Sequence, residues 1–319
     1  MKWGTDASGL FHTLAAPDIT SIHGNLAKFP FGGKCDHDNV RILMLRVSHT
    51  QLYKLILTHI CATKVSRNDK GKTFLVRGPP GTGKSVMLNL IWYVALFELG
   101  VNVICHMGDG DIHLYHDDKK KKKTKKTVSM LTRDGVRHCM DEPNTVYLFD
   151  PNEANAQPVY NDNSRGVNVI ATSPHVKHYE CIMKSADSIP KSLTTIPLWS
   201  YAWTHEEIIA GLKILGKPVS DVVKMASEAV FGNFRFALHA VSEQGHVNYA
   251  SVTRVLSRIV DKVEVNHFDK LADATSIETV ANFFCTDGTV GAFQLSHSIV
   301  TQIAPTTLTV KEPAIPEVF

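Results

Sequence analysis

Thr73-Phe74-Leu75-Val76-Arg77-Gly78-Pro79-Pro80-Gly81-Thr82-Gly83-Lys84-Ser85 decides the fold of this chain. Its first five residues are an apolar, β-branched run that predicts a buried strand. The next eight, Gly78 to Ser85, have the spacing G-x-x-x-x-G-K-[ST]. From Ser85 to Leu99 the sequence is mostly apolar and long enough for a helix, with Gly100 placed to end it. Strand, glycine turn, helix is the setting in which this spacing holds phosphate.

The chemistry accounts for the residue types. Several backbone N–H groups must converge on the phosphates, and glycines let the chain curl without Cβ clashes. The helix adds the positive end of its dipole and N–H groups that lack an intrahelical acceptor. Lys84 supplies a point charge for the β- and γ-phosphates, and Ser85 a hydroxyl for Mg²⁺. Gly78, Pro79, Pro80, Gly81, Thr82, Gly83, Lys84, Ser85 and Val86 are therefore the expected nucleotide-binding residues, with ATP and Mg²⁺ as cofactors.

Working outward, the pattern stays α/β. Val101–Cys105, Thr145–Asp150, Val167–Ser173 and Thr195–Trp199 read as further strands, nearly continuous in apolar character. Such strands between helical stretches indicate a parallel sheet covered on both faces, with ligands at the strands' C-terminal ends. Asp150, ending its strand and expected beside the phosphate-loop strand, is the candidate holder of the Mg²⁺ hydration shell. Glu153 is the candidate base that orients an attacking water, although Pro151 stands directly after Asp150, where many ATPases carry Glu. The strand ending Thr172-Ser173-Pro174 offers a hydroxyl for the γ-phosphate, or a simple proline turn. After residue 200 the sequence becomes helical. Thr204-His205-Glu206-Glu207 is a capping box opening a helix to Leu215, stopped by Gly216-Lys217-Pro218. Two more helices are expected at about 220–230 and 235–243. Arg235 begins the last of them, where the dipole disfavours a cation, which suggests an arginine that faces the triphosphate or a salt bridge nearby.

The chain has 319 residues, 44% of them hydrophobic, enough for one large core or two modest ones. No run of 18 uncharged apolar residues suits a membrane-spanning helix, and Met1 to Asp6 does not read as a secretory leader. Six scattered cysteines without a C-x-x-C pair read as reduced thiols of an intracellular protein. His113 with His116, or His175 with His178, could pair on a helix face as metal ligands, against the plainer reading of ordinary histidines. The net charge of +3 depends on seven lysines, Lys119 to Lys123, Lys125 and Lys126; without them 27 basic residues face 31 acidic ones. Segments 111–116 and 127–131 alternate in polarity, so the lysines read as the tip of a hairpin. Three uses fit such a tip: a solvated loop, a signal for a nuclear import receptor, or a contact to nucleic-acid phosphates.

In the order of its motifs the chain resembles the P-loop ATPase module of Crinkler proteins and of retrotransposon-hot-spot proteins. The matching residues are Arg46 to Tyr53 as a leading helix, Gly78 to Ser85, and the strand ending at Asp150. Further on come Thr172-Ser173-Pro174 with His178-Tyr179, Leu198-Trp199 to Glu207, and Gly232-Asn233-Phe234-Arg235. Asn233 and Phe234 depart from the family's Gly and Pro, and the family's ubiquitin-like header is not found. The resemblance implies an AAA/STAND-like P-loop NTPase sheet followed by a helical lid. The expected division is an N-terminal extension over 1–40, a nucleotide-binding domain over 41–200, a lid over 201–260, and a C-terminal segment over 261–319, read as possibly truncated. The implied activity is Mg²⁺-dependent ATP hydrolysis in a nucleus or cytoplasm. A nucleotide-gated switch with little hydrolysis and a DNA-directed ATPase are the alternatives.

Overall fold

The computed structural model describes residues 3–5, 11–15, 36–37, 40–46, 49–65, 71–78, 81–107, 111–118, 125–151, 157–159, 164–172, 195–200 and 203–221, with single positions at 223, 234, 237, 238, 241 and 247. The chain divides into two compact units. One comprises residues 1–77, 83–172 and 177–200; the other comprises 78–82, 173–176 and 201–319.

The first unit is built on a seven-stranded sheet. Its strands are β5 (Thr73–Arg77), β6 (Asn102–Met107), β7 (Ile112–Asp118), β8 (Lys125–Met130), β9 (Thr145–Asp150), β10 (Val167–Thr172) and β11 (Thr195–Trp199), in the order β11-β5-β10-β9-β6-β7-β8. The first five in that order pair in parallel, and β7 and β8 add an antiparallel hairpin. β11 pairs with β5 through Pro197, which stands opposite Leu75.

Alternation along the strands divides two cores. Phe74, Val76, Val103, Cys105, Val146, Leu148, Val169 and Ala171 face one cluster; Leu75, Ile104, Tyr147, Phe149 and Ile170 face the other. Both faces are filled, so the strands read as unbroken apolar runs rather than alternating ones. The first cluster contains α1 (Thr50–Val65) and α2 (Lys84–Tyr93), and the second α3 (Arg133–Met140). Each fully buried Leu, Ile or Phe contributes about 1.5–3 kcal/mol.

Helix α2 is buried at every residue from Met87 to Tyr93 and continues as a π turn, Val94–Glu98. That turn sets residues five apart in line, so Phe97 meets Trp92 edge-on at 5.8 Å and lies 4.9 Å from Tyr93. Gly100, at φ 61, follows it as expected. Residues 3–46 hold a separate four-stranded antiparallel sheet, β1 (Trp3–Thr5), β2 (Phe11–Ala15), β4 (Val40–Arg46) and β3 (Asp36–His37).

The described strands from β5 onward match the expected ones closely, and the hairpin forms as the polarity pattern implies, except that Lys125 and Lys126, expected in its tip, belong to β8 opposite Asp118 and Asp117. The four-stranded sheet within residues 3–46 was not foreseen, and three further features differ. Arg46 ends β4, and the leading helix starts only at Thr50. β9 is not beside β5; β10 lies between them. α3 was not foreseen, because Val136 and Met140 are its only buried residues.

In the second unit, helix α4 (His205–Ile214) has the expected capping box: Thr204 Oγ accepts from the Glu207 N–H at 3.2 Å and Glu207 returns the bond to the Thr204 N–H at 3.0 Å. Leu215 is its C-cap and Gly216 follows at φ 67. Most of the two helices expected after it lies outside the described residues.

Candidate phosphate-binding site

The parallel strands all end on one edge of the sheet. Arg77 pairs with Thr172, and Phe149 pairs with Ile170, so the ends of β5, β10 and β9 lie side by side in register. Asp150, partly exposed, thus stands on that edge with the buried Thr172 one strand nearer the loop. The strand of Asp150 is therefore not beside the loop strand, whereas the strand of Thr172 lies between the two, as expected of the hydroxyl.

The loop begins at Gly78. Gly81 and Gly83 have φ values of 78 and 94, left-handed conformations that side chains disfavour. Gly83 is the N-cap of α2, and no side chain caps that helix. No acidic residue occupies its first turn, so no carboxylate of the helix itself offsets the positive end of the dipole. Lys84 and Ser85 are its first residues and Val86 its third; all three are partly exposed, whereas Thr82 is fully buried. A helix start of this kind, opened by a left-handed glycine and followed by a lysine, is an anion site in waiting.

Behind Gly83 lies a group that the sequence did not reveal. His49 is 3% exposed, and a Cβ on Gly83 would stand 3.6 Å from its Cε1. Its Nε2 lies 3.0 Å from the Ser200 hydroxyl and 3.4 Å from Nη1 of buried Arg46. A guanidinium only donates, so Nε2 accepts there and the ring proton belongs on Nδ1. Burial, then the charges of Arg46 and Lys84, lower the imidazole's pKa from 6.5 to about 3. His49 is therefore neutral, with the charges of Arg46 and Lys84 acting on it. Ser200 also donates its backbone N–H to the Arg77 carbonyl at 2.7 Å, which ties the ends of β11 and β5 together.

In the second unit, Trp203 donates its indole N–H to the Gly81 carbonyl at 2.8 Å and stacks on Phe234. Neither Trp203 nor His49 carries a local signal; both act through partners far away in sequence.

Mg²⁺ shared with a nucleotide needs few protein ligands, since phosphate oxygens and waters complete its shell. Ser85 at the start of α2 and Asp150 at the end of β9 are a hydroxyl and a carboxylate of the right chemistry. No group of three His, Cys, Asp or Glu side chains able to hold a metal occurs among the described residues. His113 and His116 lie on strand β7, not on a helix, and three residues apart on a strand they point to opposite faces. His175 and His178 lie outside the described residues, as do Pro79, Pro80, Glu153, Ser173, Pro174, Arg235 and Lys119 to Lys123. Among the described residues no helix is long and apolar enough to cross a membrane.

No protein-family model matches the sequence, and no curated protein matches it significantly. Among solved structures, the Holliday junction branch migration motor RuvB of Thermotoga maritima is similar at 13% identity and TM-score 0.39, over 80% of this chain and 87% of that one. The ORC2 protein of Aeropyrum pernix in its ADP form is similar at 10% identity and TM-score 0.43, over 86% and 89%. NtrX of Brucella abortus in complex with ADP aligns at 10% identity and TM-score 0.34, over 78% and 68%. The strand order and the glycine turn between β5 and α2 stand on this chain's own residues, and they make its fold a mixed α/β P-loop NTPase sheet.

Proposed function

We propose that the protein binds ATP with Mg²⁺ through residues 78–86 and hydrolyses it. One observation carries the reading: a left-handed Gly83 opens an uncapped helix at Lys84, on the unit whose sheet edge also ends in Thr172 and Asp150. Backbone N–H groups and Lys84 bind the β- and γ-phosphates, and Ser85 and Asp150 hold the metal and its water shell. The bound Mg²⁺ supplies charge neutralisation between the phosphates. Thr172 is assigned to the γ-phosphate, Glu153 to the attacking water and Arg235 to the triphosphate.

Turnover of purified protein tests the chemistry. Asp150→Asn keeps the side chain's shape and is expected to lose most Mg²⁺-dependent activity; unchanged turnover would remove Asp150 from the metal. Glu153→Gln lowers turnover at constant affinity if Glu153 is the base. Pro151, in the place where many ATPases put Glu, favours a second reading: a nucleotide-gated switch with little hydrolysis. Wild type turning over no faster than Lys84→Ala, with nucleotide still bound, selects that reading.

The Crinkler and retrotransposon-hot-spot setting is proposed on motif order alone, and with it action in a nucleus. Lys119 to Lys126 is the segment offered to an import receptor. A fusion to a large cytosolic reporter tests this against the same fusion carrying Lys121 to Lys123 changed to Ala, and equal distribution of the two reduces the run to a solvated loop. DNA binding that survives deletion of 119–126 would dismiss the hairpin as a nucleic-acid contact.

A further inference from the structure

The second unit holds residues 78–82 of the loop together with α4, and Trp203 is the side chain that joins them. Its indole is 8% exposed and stacks on the Phe234 ring at a centroid distance of 4.3 Å and an angle of 13°. Phe234 in turn lies where a side chain on α4 would be: a Cβ on Gly211 would meet its Cε2 at 2.7 Å and its Cζ at 2.8 Å. Trp203 directly precedes Thr204, the N-cap locked by the reciprocal capping box. Indole N–H, stacked ring, close-packed glycine and capped helix form one connected set.

The acceptor of the indole bond is what gives this set a function. An indole nitrogen only donates, so the Gly81 carbonyl must accept. No peptide bond among the described residues is cis. In a trans peptide the carbonyl and the following N–H point in opposite directions. Fixing the Gly81 oxygen therefore fixes the direction of the Thr82 N–H. Gly81 needs such a fixture, because glycine admits both signs of φ and its peptide planes turn with little steric resistance. Thr82 itself is fully buried.

We infer that Trp203 is a positioning residue of the phosphate loop: through the Gly81 carbonyl it sets the direction of the Thr82 N–H, one of the donors that grips a nucleotide's phosphates, and it couples that donor to α4. The inference rests on the nucleotide-binding reading above. Trp203 touches no phosphate in this scheme. It acts by removing the alternative orientation of one peptide plane.

Trp203→Phe is the test, since it keeps an aromatic ring beside Phe234 while deleting the donor. Calorimetry with ADP and with adenosine separates phosphate contacts from base contacts. ADP is expected to bind Trp203→Phe about tenfold more weakly, in keeping with one lost hydrogen bond, while adenosine binds as to wild type. ADP and adenosine weakened equally, or neither weakened, would overturn the inference. Amide exchange at Thr82 without nucleotide is the independent arm, expected to accelerate in Trp203→Phe; unchanged exchange sinks the idea. Should wild type bind no ADP, the nucleotide reading falls, and Thr82 exchange still decides whether the indole orients the peptide. Phe234→Leu, which keeps the indole N–H, is expected to leave the preference for ADP over adenosine intact.

Discussion

The two ends of the phosphate loop are held by opposite kinds of side chain. At Gly83 the support is polar: a buried, neutral His49 hydrogen-bonded to Ser200, with Arg46 at 3.4 Å. At Gly81 it is aromatic: one indole N–H, backed by a stacked phenyl ring. The first brings the charges of Arg46 and Lys84 to the helix start. The second contributes no charge and fixes geometry alone. Affinity should therefore follow the Gly83 end through electrostatics and respond to salt, whereas the Gly81 end should not.

The largest expected effect is at the charged end. Lys84→Ala removes the phosphate's point charge and is expected to weaken Mg·ATP about 10- to 100-fold in calorimetry, the scale of a hydrogen bond to a charged group. Unchanged affinity would end the assignment of the loop. Next comes the backbone: Gly83→Ala places a Cβ at φ 94, against the His49 ring, and should cost about 1–2 kcal/mol in denaturant unfolding. A stable variant would show that the left-handed turn is not fixed.

The histidine sharpens the contrast through pH. In the folded protein His49 resists protonation down to about 3, whereas the unfolded chain takes up the proton near 6.5. Its contribution is complete above that higher value and is lost as pH falls towards the lower one. Between the two, stability should drop by up to about 1.4 kcal/mol per pH unit on its account. His49→Gln should flatten that slope; an equal slope in both proteins would place the titration elsewhere. The smallest effect belongs to Ser200→Ala, about 1 kcal/mol from the loss of one hydrogen bond to the imidazole, measured by thermal unfolding.

β5, β6, β9 and β10 were legible because both faces of each are buried, which leaves a continuous apolar run that periodicity can find, whereas β7 and β8 were legible from alternating polarity. The loop was legible because glycine and lysine spacing is dictated by phosphate chemistry. α4 was legible from its capping box and its stop at Gly216. α3 was hidden by its exposure, and β1 and β3 by their shortness, at three and two residues. Trp203 and His49 were hidden for another reason: their partners stand 122 and 151 residues away, and no local pattern encodes such a contact. The strand of Asp150 is not directly beside the loop strand, because strand order depends on crossovers that the sequence of a single strand does not carry; Thr172 does end the strand between them.

Pro197 has a consequence for the sheet as an object among other proteins. The ladder between β11 and β5 runs through it, so the N–H it lacks is missing from the strand's other margin. A foreign extended chain seeking to add itself there would meet a row of donors with a gap in the middle. Any strand placed on that margin would forgo the hydrogen bond of a single absent hydrogen atom.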